Sequence, residues 1–485
     1  MLRLSGILKN YRETGSLNEQ INLFGFIGPH VFLTKTGEVG VVLEVRGVDY
    51  ECLDTVAIDG FTKRLESALK LFDENCRVYQ YLFKRNNETI PYKLYANPIV
   101  DAAIKNRIAY LAGKADNLFS LSVYFVVLYQ GFHASHKLAS VLTHLTSDLK
   151  RAFVDLRAHL STERQAVVLG RYVSDAETAL LQKARSFILH VSDFLAVRLL
   201  DKQEAFRVLK KTLNFDPTKL GLAKLNHDTF LDYYLPESPI ECHRGHLRVD
   251  DYYVKVLTLK EPSAQSFPLI FKRLLEVEAN YCVVTEWKKE DSGKTRRAIQ
   301  AKRRHFHNTK RSFMSQVNLN DAAPQDVLLD DSKESQVREL GEGIKEIELH
   351  GNYFGHFSLT VVIYDLDLAK LDRGCADFYK VFSVHDAQLY EEKYNLLNAF
   401  LAAVPGNHVF NLRTLYLLNT NRFRSTYLYR DEHPEARGPH AHEGRHRDDW
   451  PPLYGYRPRW PCSAGQDSSV ESRPAPQLHH QHLTR

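Results

Sequence analysis

The chain has 485 residues, 44% of them hydrophobic and 25% charged, and a net charge of +5. That is enough apolar material for two or three domains, yet it holds no run of about eighteen apolar residues that could cross a bilayer. The N-terminal MLRLSGILKNYRETGS has too short an apolar stretch for a signal peptide, and Cys52, Cys76, Cys242, Cys282, Cys375 and Cys462 are scattered without a CxxC pair, so the expectation is a cytoplasmic protein with cysteines buried as small hydrophobes, without zinc sites or disulfides.

Along the chain, HVFLTKTGEVGVVLEVRGVD alternates apolar residues about Thr36-Gly37, which predicts a hairpin of Val31–Lys35 and Glu38–Arg46 with one face buried. Phe61, Leu65 and Leu69 then recur at helical spacing, RVYQYLFKR returns to strand chemistry, and LSVYFVVLYQG reads as a central strand covered on both faces. Helical patterns follow over 135–158 and 175–215; in the second, Asp201 and Glu204 predict a capping box that restarts a helix after Leu200. HLRVDDYYVKVLTL opens a second unit as a strand, with a helix near 267–278 and the strand NYCVVTEWKK behind it. Strand HFSLTVVIYDLD, a short helix near 366–370, strand KVFSVHD and a helix over 388–402 continue the alternation. The fold class this predicts is α+β, helices packed on sheets in two successive units, divided as 1–175, 176–421 and a tail, 422–485.

Within the second unit, residues 288–350 are polar and read as a protruding, charged helical arm. The arm contains Gly293-Lys294-Thr295, but a phosphate-binding loop needs a glycine where Lys288 stands, so that successive amides can curl around the phosphates. The basic stripe Lys294–Arg311 makes Lys302, Arg303, Arg304, Lys310 and Arg311 candidate anion-binding residues, for nucleic acid or lipid headgroups; a solvated helix surface is the competing reading. His305 and His307 are too close to chelate one metal from a helix face, and the tail histidines form a His-rich tract, so no metal site is assigned. No nucleophile elbow or other catalytic constellation is present.

Taken in order, PHVFLTKTGEVGVVLEVRGVDYE, QAKRRHFHNTKRSF, ELGEGIKEIELHGNYFGHFSLTVVIYDLD and NAFLAAVPGNHVFNLRTLYLLNTN resemble the large ATPases of bacterial type IV secretion and conjugation, the CagE/TrbE/VirB group, over about Ile21 to Asn421. The resemblance marks Pro405, Gly406, Asn407, Asn411 and Arg413 as structural family positions that close the N-terminal and central region ahead of the ATPase domain. Read from the residues alone, Pro-Gly-Asn after an apolar helix is a stop and a turn. The family implies an oligomeric motor using ATP and Mg at the cytoplasmic face of the inner membrane, working with other secretion subunits, inner-membrane components among them.

The resemblance also implies a Walker A loop and a Walker B carboxylate further on, and neither occurs in this chain. No cofactor is therefore assigned to it, and it is expected to be inactive alone. Residues 422–485 instead carry ten Arg and no Lys, eight of the eighteen Pro and two of the three Trp. Their few apolar groups cannot offset the cost of ordering the backbone, which predicts disorder. WPCSAGQDSSVE, Trp460 to Glu471, read one nucleotide later permits G-x-x-x-x-G-K-T, so the expectation is an out-of-frame tail on a truncated secretion ATPase that keeps its docking and assembly region. The alternative is a stand-alone nucleic-acid-binding protein acting through residues 294–311.

Overall fold

The computed structural model describes residues 17–49, 53–86, 93, 95–112, 118–131, 170–225, 230–263, 270, 272–301, 304, 345, 348–349, 352–419, 429–430 and 454–456. In chain order the elements are α1 (Leu17–Gln20), β1 (Leu23–Phe26), β2 (Val31–Thr34), β3 (Val39–Arg46), β4 (Val48–Asp49), α2 (Thr55–Leu69), β5 (Cys76–Asn86), α3 (Pro98–Ala112), β6 (Leu118–Tyr129), α4 (Gly170–Val191), β7 (Ala196–Leu199), α5 (Lys202–Lys211) and α6 (Pro217–Leu222). They continue as α7 (Leu231–Tyr234), β8 (Ile240–Cys242), β9 (Leu247–Val249), β10 (Tyr252–Glu261), a 3-10 turn (Lys272–Glu276), β11 (Asn280–Lys289), β12 (Phe354–Asp365), α8 (Leu368–Ser383), β13 (Gln388–Glu391), α9 (Leu396–Leu401), a second 3-10 turn (His408–Phe410), β14 (Leu415–Leu418), β15 (Tyr429–Arg430) and β16 (Tyr454–Tyr456).

One antiparallel sheet runs through both sequence units, in the order β1-β2-β3-β6-β5-β11-β12-β10-β9-β8, with β7 on β3 and β13 on β10. Its two halves repeat each other. β3, α2, β5, β6, α4 and β7 form a β-α-β-β-α-β unit of strand order β7-β3-β6-β5, the ferredoxin-like arrangement. β10, the first 3-10 turn, β11, β12, α8 and β13 repeat the strand order as β13-β10-β12-β11. A two-strand meander precedes each unit, β1-β2 and β8-β9, and a short helix follows each, α5 and α9. The halves join through equivalent strands, β5 and β11, paired antiparallel from Tyr281↔Lys84 to Lys288↔Arg77. Antiparallel pairing of equivalent strands relates the halves by an approximate two-fold axis.

Strand period fixes what each face buries. Phe119, Val123, Phe125 and Val127 of β6 enter a core under α2, α4 and α8, while Tyr124, Val126 and Leu128 enter the opposite core under α5 and α9. α2 supplies Phe61, Leu65, Ala68 and Leu69 from one stripe, and its N-terminus is held by the Asp54 carboxylate, which accepts from the Ala57 amide at 2.7 Å. The predicted capping box is present at α5: Asp201 accepts from the Glu204 amide at 2.8 Å and Glu204 accepts from the Asp201 amide at 3.2 Å.

Several sequence expectations are corrected. The pattern over 175–215 is interrupted by β7, whose four residues pair with the edge of β3. KVFSVHD is no strand, because Leu371, Cys375, Phe378 and Phe382 carry the helical stripe of α8 through to Ser383; a turn with Asp386 at φ 57° ends it. The helix expected over 388–402 divides into β13, pairing with β10, and α9. Of the helix expected near 267–278, the described residues form a five-residue 3-10 turn, Lys272–Glu276, and HLRVDDYYVKVLTL folds back at Asp250, φ 52°, into β9 and β10. Cys76, Cys282 and Cys375 are buried as expected, whereas Cys242 is exposed on the edge strand β8. The helix expected over 135–158, most of the arm and, apart from β15 and β16, the tail lie outside the described residues.

Candidate functional site

The five motif positions leave α9 and cross the sheet as a set of anchors. Val404 and Pro405 are buried, and Gly406 turns the chain at φ +88°, where a side chain is strained and a Cβ would come within 3.3 Å of the Thr34 methyl. The Gly406 carbonyl accepts from Asn22 Nδ2 at 2.9 Å, and its amide donates to the Tyr79 hydroxyl at 3.3 Å. Asn407, only 2% exposed, donates through Nδ2 to the carbonyls of Gln20 at 2.9 Å and Leu401 at 3.1 Å, and its Oδ1 accepts from the Asn22 amide at 2.9 Å. Asn411 Nδ2 reaches Ser358 Oγ and Glu286 Oε2 on β12 and β11. Arg413 donates from Nε to Glu392 at 2.8 Å and lies over the Tyr390 ring, 4.1 Å from its centroid, fixing the segment to β13. The motif thus ties the end of the second half to the lead-in of the first.

The first half holds the second in the same way. Asn214, 1% exposed and placed after α5 as Asn407 is after α9, donates from Nδ2 to the carbonyls of Lys210 and Leu235, both at 2.9 Å, and accepts from Ser238 Oγ at 3.0 Å. Leu235 closes α7, which precedes β8 as α1 precedes β1. Asn214 was not singled out in the sequence, because TLNF shares no local pattern with PGN. Its only signal is a polar residue following an amphipathic helix.

Beneath the motif turn lies a charged seam between the halves that sequence reading also missed. Arg77 of β5 pairs with Glu286 of β11, the two side chains 12% and 10% exposed. Lys288 is half-buried beside them, its pKa lowered by burial and then by Arg77. Burial raises the pKa of Glu38 against the opposing pull of Arg77 and Lys288. Burial, with Arg77 and Lys288, pushes His408 down to about 3. Glu38 Oε2, Arg77 Nε and His408 Nδ1 are buried without hydrogen-bond partners. Arg77, Glu286 and Lys288 lie in strands β5 and β11, buried on both faces over most of their length, the one local sign that these charges are not solvent-facing.

His408 gives a pH prediction. Its folded pKa lies below the unfolded value of about 6.5, so below that pH the unfolded chain takes up a proton that the folded chain refuses until about pH 3. Its contribution to stability is present above pH 6.5 and is lost as pH falls toward 3, with a slope of up to about 1.4 kcal/mol per pH unit. Urea titrations at pH 7, 6, 5 and 4 should show a smaller loss of stability in His408→Gln than in the parent chain. Equal losses would remove His408 from the acid sensitivity.

The other candidates do not join this site. Thr295 is buried and shares a hydrogen bond of 2.7 Å with the Tyr416 hydroxyl, and the Asp291 carboxylate accepts the Gly293 amide at 2.8 Å, so Gly293-Lys294-Thr295 opens a helix over 292–301. Arg304 is exposed and donates to the Gln300 carbonyl at 3.4 Å; Lys302, Arg303, Lys310 and Arg311 lie outside the described residues. Among the described residues, no group of three or more His, Cys, Asp or Glu could hold a metal ion, and no helix is long and apolar enough to cross a membrane.

Residues 30–136 match the family model for the N-terminal domain of the type IV secretion system ATPase VirB4/TrbE, and residues 325–413 match that for the CagE, TrbE, VirB family, a component of the type IV transporter system. Over these segments the chain is similar to the CagE/TrbE/VirB group of type IV secretion ATPases. No curated protein matches the chain. On the structure, the VirB4/TrbE match spans β2 to β6 of the first half, and the CagE/TrbE/VirB match spans β12 to the motif turn, ending at Arg413. The anchors of Gly406 and Asn407 connect the end of the second matched segment to Gln20 and Asn22, just ahead of the first.

Proposed function

We propose that this chain supplies the assembly and docking region of a type IV secretion ATPase, a two-half platform that in complete family members precedes the ATP- and Mg-dependent motor and binds other secretion subunits, inner-membrane components among them. The observation that carries this is the place of the motif. Residues typical of the family end at a turn where the side chains of Asn407, Asn411 and Arg413 are all used to lock the platform. The platform's work is therefore to hold and position partners at the cytoplasmic face of the membrane. Energy transduction belongs to the motor.

Co-purification tests this against nucleic-acid binding through residues 294–311. Tagged chain, produced in cells carrying a type IV secretion system and treated with nuclease, should retain secretion subunits at moderate salt. The charge-reversed variant Arg303→Glu/Arg304→Glu should retain them equally. Recovery of no secretion subunit, with salt-dependent DNA binding that the same variant abolishes, would favour the nucleic-acid reading.

A further inference from the structure

The repeat of the two halves exposes one unequal position. In the second half, β10 covers β12 only from Thr360 to Asp365, and the remaining end of that edge, Phe354 to Phe357, is completed by β14 through Leu415–Leu418. In the first half, β3 covers β6 only from Val123 to Tyr129, so that no strand of the first half itself completes the corresponding end, Leu118 to Ser122, on the β3 side while β5 pairs the other side. The chain that follows α5 does not return to this edge; it passes into α6 and α7. The amides and carbonyls that β3 leaves on such an edge are a template for one more strand.

We propose that the Leu118–Leu121 edge of β6 is a strand-acceptor site, equivalent by the internal repeat to the place of β14, and that the chain's own Tyr454–Tyr456 is its occupant. The pairing is antiparallel, with Tyr454 opposite Ser120, Gly455 opposite Phe119 and Tyr456 opposite Leu118. It stands where the repeat requires a strand: β14 and β16 each pair at the same end of equivalent strands, on the side away from the central β5-β11 junction. Recognition runs through the backbone, so it asks of the occupant an extended segment free of proline at the paired positions, and Tyr-Gly-Tyr meets that between Pro452 and Pro458. The site makes the tail a ligand of the first half.

Hydrogen exchange read by mass spectrometry on the full chain tests this. Gly455→Pro and the double variant Tyr454→Pro/Tyr456→Pro remove the strand's N–H groups of either orientation, and neither touches the core of the two halves. At least one of them should speed exchange of a peptide covering 118–122 by tenfold or more, while 123–129 and 280–289 stay as slow as in the parent, and the parent should remain monomeric by light scattering. Unchanged exchange at 118–122 in both variants would overturn the proposal. A parent dimer that both variants convert to monomer would overturn the assignment of the occupant, placing a second copy's tail on the edge.

Discussion

Asn407→Leu should lower the free energy of unfolding by about 3–5 kcal/mol. Leucine is close in volume, so the effect is one of hydrogen bonding: the Gln20 and Leu401 carbonyls and the Asn22 amide each lose their Asn407 partner, and a buried group left unpaired costs about 1–3 kcal/mol. The neighbouring Gly406→Ala should cost about 1–2 kcal/mol through its backbone at φ +88°. Urea midpoints at unchanged m-value would measure both. A loss under about 1 kcal/mol for Asn407→Leu would mean that water replaces the clasp and that the motif is not what ties the halves.

The second large effect is at the seam. Arg77→Met removes one member of a buried ion pair and leaves Glu286 hydrogen-bonded only to Asn411 and Ser358, with Lys288 as the nearby cation, which should cost about 3–5 kcal/mol. Replacing both, as Arg77→Met/Glu286→Met, should recover much of that, because the desolvation penalty of the pair disappears with it. A double-mutant cycle by denaturant unfolding reads the coupling directly. Additive losses, with no recovery in the double variant, would show that the two charges are stabilised separately.

How much of this was legible in the sequence follows from the range of each signal. Strands β5, β6, β11 and β12 are long, rich in β-branched and aromatic residues and buried on both faces over most of their length, so their chemistry declared them. β7 and β13 have four residues each and depend on the edges of β3 and β10 for their existence, so a local pattern reads them as helix. α3 gave no amphipathic signal, as none of its residues is buried. The PGN turn was visible as a stop, but its reach of 384 residues to Asn22 is a tertiary fact. The internal repeat left its trace in strand order alone, with Asn214 and Asn407 at equivalent places in unlike sequences.

The clasp is tested most directly by native-state hydrogen exchange across the lead-in of the first half. In the parent chain, residues 17–26 should exchange about as slowly as 76–86 and 280–289. In Asn407→Leu the lead-in should exchange about a hundredfold faster, equivalent to about 2.7 kcal/mol, while β5 and β11 keep most of their protection. Unchanged protection of residues 17–26 would contradict the account, because the turn at Gly406-Asn407 would then not be what binds the second half to the first.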